Sequence, residues 1–185
     1  MANIDIFYKD GSYKGSMDRD EAYRTGEWNR VSWIFPCNDR GEILLELRSK
    51  EKAVYPRTWA PPTETLRGET NKQCAVRGLQ EELRMAINPN ELVDLGLEFN
   101  VNMAITSRYN INHIQHVFGL RWNGDISDLT IDKREVEEVR LFPHKSLGKA
   151  PLFMPIEPTR LKQVFTELRR NRLLPAGLHF LGLYL

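Results

Sequence analysis

Apolar and polar positions alternate over residues 4–8, Ile-Asp-Ile-Phe-Tyr, and the Asp10-Gly11 pair that follows is a turn signal. A β-hairpin spanning about 4–17 is therefore predicted. Val31-Ser32-Trp33-Ile34-Phe35 and Glu42-Ile43-Leu44-Leu45-Glu46-Leu47 flank Asn38-Asp39-Arg40-Gly41, which reads as strand, turn, strand. Pro56, Pro61 and Pro62 make 51–68 a predicted loop, since proline lacks a ladder donor and restricts its predecessor. From Thr70 the period lengthens to that of a helix. Thr70 and Gln73 have capping-box spacing, Ala75, Leu79, Leu83 and Ala86 recur along one face, and Asn88-Pro89-Asn90 ends the pattern. Strands are predicted at 93–106, 114–122 and 136–142, where β-branched and aromatic residues alternate with polar ones. A last helix is predicted over about 158–171, with Leu161, Val164, Phe165 and Leu168 inward and Arg160, Lys162, Arg169 and Arg170 outward. The apolar segment 178–185 is a candidate final strand or homodimer contact.

Strands mixed with a few helices predict an α+β fold. A length of 185 residues with 41% hydrophobic content suffices for one sizeable core, so a single domain over 1–185 is expected. The 26 basic and 25 acidic residues leave a formal net charge of +1, which provides no global field toward nucleic acid or an anionic membrane. No specific nucleic-acid partner is expected. No apolar run approaches the roughly 20 residues that span a bilayer, and Met1-Ala2-Asn3-Ile4-Asp5 lacks a signal-peptide pattern, so no membrane partner is expected. Cys37 and Cys74 stand far apart without metal or redox spacing, which suits reduced thiols and a cytoplasmic location.

The candidate chemistry lies on the helix from Thr70. Positions three and four apart on a helix are neighbours, which groups Gly78, Glu81 and Glu82. Adjacent carboxylates repel, and a common reason to keep them together is a hard divalent cation such as Mg²⁺ or Mn²⁺.

Gly68-Glu69, seven further residues, then Arg77-Gly78-Leu79-Gln80-Glu81-Glu82-Leu83-Arg84-Met85 resembles the Nudix box. The resemblance implies the Nudix fold, a mixed β-sheet sandwiched between helices, with the loop–helix motif over 63–86. It also implies a structural ion pair between Glu69 and Arg77, metal ligation by Glu81 and Glu82, and catalysis of diphosphate hydrolysis. Three positions depart from the pattern: Thr63 stands for the loop glycine, Gly78 for the first helix glutamate and Arg84 for the closing glycine. Gly78 removes a family metal ligand and base, so Glu64, in the loop beside the box, or Glu98 becomes the candidate substitute, and Arg84 a candidate partner for Glu81 or Glu82. Asp18–Arg30, Leu44–Lys52 and Tyr55–Trp59 are similar to the Nudix branch that contains type 1 isopentenyl-diphosphate isomerase and its hydrolase-like relatives. Tyr23 and Asn29 stand where that branch typically has histidines, and Ala60-Pro61-Pro62-Thr63-Glu64 replaces the isomerase cysteine–histidine segment, which argues against isomerase chemistry.

The substrate-binding candidates are Arg48 and Lys52, whose cations suit phosphate oxygens, together with Trp59 and His116; Arg108 is a further source of charge. His113 and His116, three apart in a strand, point to opposite faces and do not make a metal pair. The expectation is a divalent-metal-dependent hydrolase of a diphosphate linkage in a nucleotide or related small molecule. The alternative is a catalytically inactive Nudix domain that binds a phosphorylated ligand or a protein partner.

Overall fold

The N-terminal alternation builds a hairpin in which β1 (Asn3–Phe7) pairs antiparallel with β2 (Tyr13–Asp18). In the computed structural model, which describes residues 3–104, 108–149, 154 and 156–175, the organising strand is β3 (Trp28–Cys37). It pairs antiparallel with β1, with β4 (Glu42–Arg48) and with β6 (Thr63–Thr65). It also runs parallel to β8 (Asn110–Arg121), from Trp28 opposite Asn112 to Cys37 opposite Arg121. Strand β5 (Trp59–Ala60) and strand β9 (Val136–Pro143) join β4, and β7 (Leu92–Ala104) joins β8, which completes a mixed sheet.

The period of two divides the core between the sheet's faces. Trp33, Phe35 and Cys37 of β3 and Ile43 and Leu45 of β4 pack with Leu161, Val164, Phe165 and Leu168 of α3 (Pro158–Arg170). Ile34 and Leu44, one residue out of phase, pack with Ala75, Leu79 and Leu83 of α2 (Asn71–Leu83). The sheet is thus sandwiched between helices. Among the described residues no helix is long and apolar enough to cross a membrane.

Local signals account for the helix ends. Thr70 accepts from the Gln73 backbone N–H while the Gln73 side chain accepts from Thr70, a reciprocal capping box. Helix α2 stops at Leu83, short of the predicted residue 86, because Arg84 takes a left-handed conformation (φ 52°) and the Met85 N–H turns back to the Leu79 carbonyl.

The predicted loop 51–68 contains β5 and β6, which are too short to carry a periodicity and exist by pairing with β4 and β3. A helix absent from the sequence reading, α1 (Arg19–Thr25), is capped by Asp18, whose carboxylate accepts from two backbone N–H groups, and closed by left-handed Gly26. Strand β8 starts at Asn110, four residues before its predicted start. Residues 105 and 106 of the predicted 93–106 strand and the apolar segment 178–185 lie outside the described residues.

Candidate functional site

The buried stripe of α2 consists of Cys74, Ala75, Gly78, Leu79, Glu82 and Leu83, spaced so that one face meets the sheet. Consecutive helix residues are rotated by about 100°. Glu82 therefore points inward, 6% exposed, whereas the Glu81 side chain is 48% exposed. The expectation that Gly78, Glu81 and Glu82 share one face is corrected: Gly78 and Glu82 share it, and Glu81 does not.

Gly78 has a packing cause. A Cβ placed there would lie 2.6 Å from Glu64 Cβ and 3.1 Å from Glu64 Cγ. Strand β6 thus crosses α2 at a distance only glycine permits. The carboxylate that approaches this point belongs to Glu64, delivered from the strand instead of the helix.

Arg77, one residue before the glycine, gathers three carboxylates. Its guanidinium donates to Glu69 at 2.6 Å and 3.1 Å, lies 3.2 Å from Glu64 Oε2 and donates to Glu81 Oε2 at 3.2 Å. A fourth bond reaches the Thr65 carbonyl at 2.8 Å and ties the helix to β6. The other Glu64 oxygen accepts from the Thr65 N–H at 2.7 Å and from Arg67 at 3.2 Å. Burial opposes the charge of Arg77, but its hydrogen bonds to Glu69 and the field of Glu64 raise its pKa above the ordinary arginine value. The expected pairing of Arg84 with Glu81 is corrected: Arg77 holds Glu81, and the Arg84 backbone closes the helix.

Glu82 belongs to a different set. Glu46 follows Leu44 on the α2 side of β4 and is 1% exposed. Its carboxyl lies within hydrogen-bonding reach of Glu82. Each of the two glutamates has one buried oxygen, Oε2, without a hydrogen-bond partner. Burial, reinforced for Glu82 by Glu46, pushes the pair upward from the ordinary carboxylate range, and Lys52 opposes the shift. Lys52 is drawn down by burial and up by Glu82 and Glu46, and its ammonium is ion-paired with Glu135.

Glu81 and Glu82 open onto a cavity of about 660 Å³ that Arg19, Arg48, Lys52, Glu64, Arg67, Arg84 and Arg134 also line. Tyr23, Tyr109 and His113 form its aromatic side. Burial pushes His113 down to about 4, so the ring is neutral near pH 7. Arg48 is braced by the carbonyls of Val54 and Tyr55.

Four of the sequence candidates lie elsewhere. Trp59 pairs with Leu47 on the α3 face and packs edge-on against Phe142 at 5.0 Å, which places it in the core. His116 is held on the β7–β8 ribbon, 2.9 Å from Asp94 and 3.7 Å from Glu98, outside the cavity lining. Glu98 is bound by Arg30 at 2.5 Å, and Arg108 by Asp20 at 3.2 Å, so neither serves the cavity. The sequence reading missed Glu46, although an acid at an inward phase of an apolar strand is itself a signal.

Among the described residues no group of three His, Cys, Asp or Glu side chains is arranged to hold a metal ion. The unpartnered buried oxygens of Glu46 and of Glu82, the latter on the cavity wall, are nevertheless donors of the kind a hard divalent cation takes. Mg²⁺ in particular is usually bound by one or two carboxylates, with water and substrate phosphates supplying the rest.

Comparison with known proteins points the same way. The NUDIX domain family matches residues 28–163. An uncharacterized Nudix hydrolase of Listeria innocua is 29% identical over 135 residues, covering 70% of this chain and 72% of that one. The isopentenyl-diphosphate Delta-isomerase of Pectobacterium atrosepticum is 25% identical over 155 residues, covering 82% and 80%. A crystal structure from Deinococcus radiodurans superimposes with a TM-score of 0.63 at 16% identity, covering 87% of this chain and 98% of that one, which shows a shared fold.

Proposed function

The chain belongs to the Nudix family, and from that premise we propose that it hydrolyses the diphosphate linkage of a nucleotide or related small molecule with Mg²⁺ or Mn²⁺ as cofactor. The observation that carries this reading is the buried, unpartnered oxygen of Glu82 at the edge of a cavity rich in cations. A divalent ion supplies charge neutralisation and a more acidic bound water. The chain's own groups supply the remainder. Arg48, Arg84 and Arg19 meet phosphate oxygens, and the braced guanidinium of Arg48 is already oriented. Glu64, with both oxygens engaged, fixes Arg67 and Arg77 in place at the cavity wall. Glu81, paired with Arg77, has the same positioning role from the helix side. Water adds at phosphorus, the bond from phosphorus to the bridging oxygen breaks with its electron pair leaving on that oxygen, and the proton lost by the water passes to the departing phosphate or to solvent.

A second reading, a non-catalytic domain that binds a phosphorylated ligand, is favoured by Gly78 and by the capture of Glu81 by Arg77. The two separate in one assay. The full chain is incubated with Mg²⁺ or Mn²⁺ and a panel of nucleoside di- and triphosphates, dinucleotides, nucleotide sugars and prenyl diphosphates. Release of phosphate or a nucleoside monophosphate that disappears in Glu82→Gln is expected. Binding without turnover above that variant would replace the hydrolase reading with the second.

A further inference from the structure

Glu46 has no part in the family motif, yet it is the most deeply buried acid in the described structure. We propose that Glu46 and Glu82 together are the carboxylate ligands of the divalent ion, bound beside Lys52, whose ammonium is paired with Glu135. This rests on the hydrolase reading only in its choice of ion.

The strand phase explains how the two acids meet. Leu44 and Glu46 point toward α2, and Glu82 is the residue of α2 on the matching inward stripe. Each leaves one oxygen buried and unpartnered, at 1% and 6% residue exposure, so the pair is a desolvated carboxyl site that the protein leaves incompletely satisfied. Lys52 is the nearby cation, but its ammonium is ion-paired with the more exposed Glu135. With Lys52 committed to Glu135, a hard dication with oxygen ligands matches the two remaining carboxyl groups, Glu46 and Glu82, in charge. Glu81 also reaches the cavity, but its carboxylate is half-exposed and already paired with Arg77. Lys52 stands on the cavity wall, where a phosphate oxygen suits its ammonium.

The competing account is a carboxyl–carboxylate pair that shares a proton and binds no metal. The discriminating measurement is Mn²⁺ titration of the substrate-free full chain, followed by the electron paramagnetic resonance signal of free Mn²⁺, with circular dichroism as a check of folding. One bound ion is expected in the wild type. Glu46→Gln is expected to weaken binding at least tenfold, within the range of about 10–100-fold seen when a metal-site partner is lost. Glu81→Gln is expected to change it by less than about threefold, as for an exposed group outside the site. Lys52→Met, which removes a nearby positive charge that repels the ion, is expected to tighten it. Wild-type affinity in Glu46→Gln, or no Mn²⁺ binding by the wild type, overturns the proposal. If the amide variant does not fold, Lys52→Met decides: tighter binding supports the site, and unchanged or weaker binding overturns it. Mn²⁺ binding through Glu46 without hydrolysis of any diphosphate leaves the site standing and removes the hydrolase reading; hydrolysis with unaltered affinity in Glu46→Gln does the reverse.

Discussion

Two acidic clusters share helix α2, and they are finished to different degrees. Around Arg77, the carboxylates of Glu64, Glu69 and Glu81 all have a guanidinium partner within 3.2 Å. Around Lys52, Glu46 and Glu82 are buried deeper and each retains an oxygen with no partner. Neighbours in sequence, Glu81 and Glu82, fall into opposite clusters because one helical step turns a side chain from the solvent to the sheet. Saturated charges brace a fold, whereas unsaturated ones attract an ion or a substrate.

Mutations can press on this contrast from both sides. The largest effect is expected at the saturated cluster. Arg77→Met strands Glu64 and Glu69 without a cation and should destabilise the protein by about 3 kcal/mol, the low end for breaking a buried ion pair because Arg77 is partly exposed. Urea denaturation measures it, and a loss below about 1 kcal/mol would mean that the cluster is not a brace. Gly78→Glu, which restores the family residue, should cost about 2–3 kcal/mol by driving a side chain into Glu64. Adding Glu64→Gly should recover most of that loss, and additivity of the two changes would refute the exchange of positions.

At the unsaturated cluster the sign reverses. Glu82→Gln should stabilise the metal-free protein by about 1–2 kcal/mol at pH 8, since it removes a buried unsatisfied carboxylate. Because burial raises Glu82 in the folded state, the folded protein holds a proton that the unfolded chain has lost above the ordinary carboxyl range. The stability Glu82 contributes is therefore present in acid and lost as the pH rises through its folded pKa, so the advantage of glutamine should grow from pH 5 to pH 8. Thermal unfolding across that range reads the trend, and a trend of opposite sign would contradict the burial argument. The smallest effect is expected at the helix end: Arg84→Gly relieves a left-handed residue and should stabilise by about 0.5–1 kcal/mol, roughly 1–4 °C.

The sequence announced what is local and concealed what depends on crossing elements. Thr70 and Gln73 are three residues apart, so their reciprocal cap could be read directly, as could the apolar face of α3. Helical spacing put Glu81 and Glu82 within one turn, but only the packed sheet decides which of them is inward. Gly78 reads in sequence as a lost ligand; its cause, the approach of Glu64, is a contact between strand and helix. Trp59 and His116 were misassigned for a related reason. The face each presents is set by pairing with β4 and β7, and a two-residue strand such as β5 has no period from which to read it. Glu46 was visible all along as a charge in an apolar strand, and its significance emerged once Glu82 was found opposite.

The contrast between adjacent glutamates is tested most directly by steady-state hydrolysis of whichever diphosphate the chain turns over, with Mg²⁺ saturating, in Glu82→Gln and Glu81→Gln side by side. The two-cluster account predicts that Glu82→Gln lowers kcat/KM by at least about 100-fold, as for loss of a group that acts in the transition state. It predicts that Glu81→Gln lowers it by less than about tenfold, the penalty of loosening Arg77. Equal losses in the two variants, or a larger loss in Glu81→Gln, would contradict it.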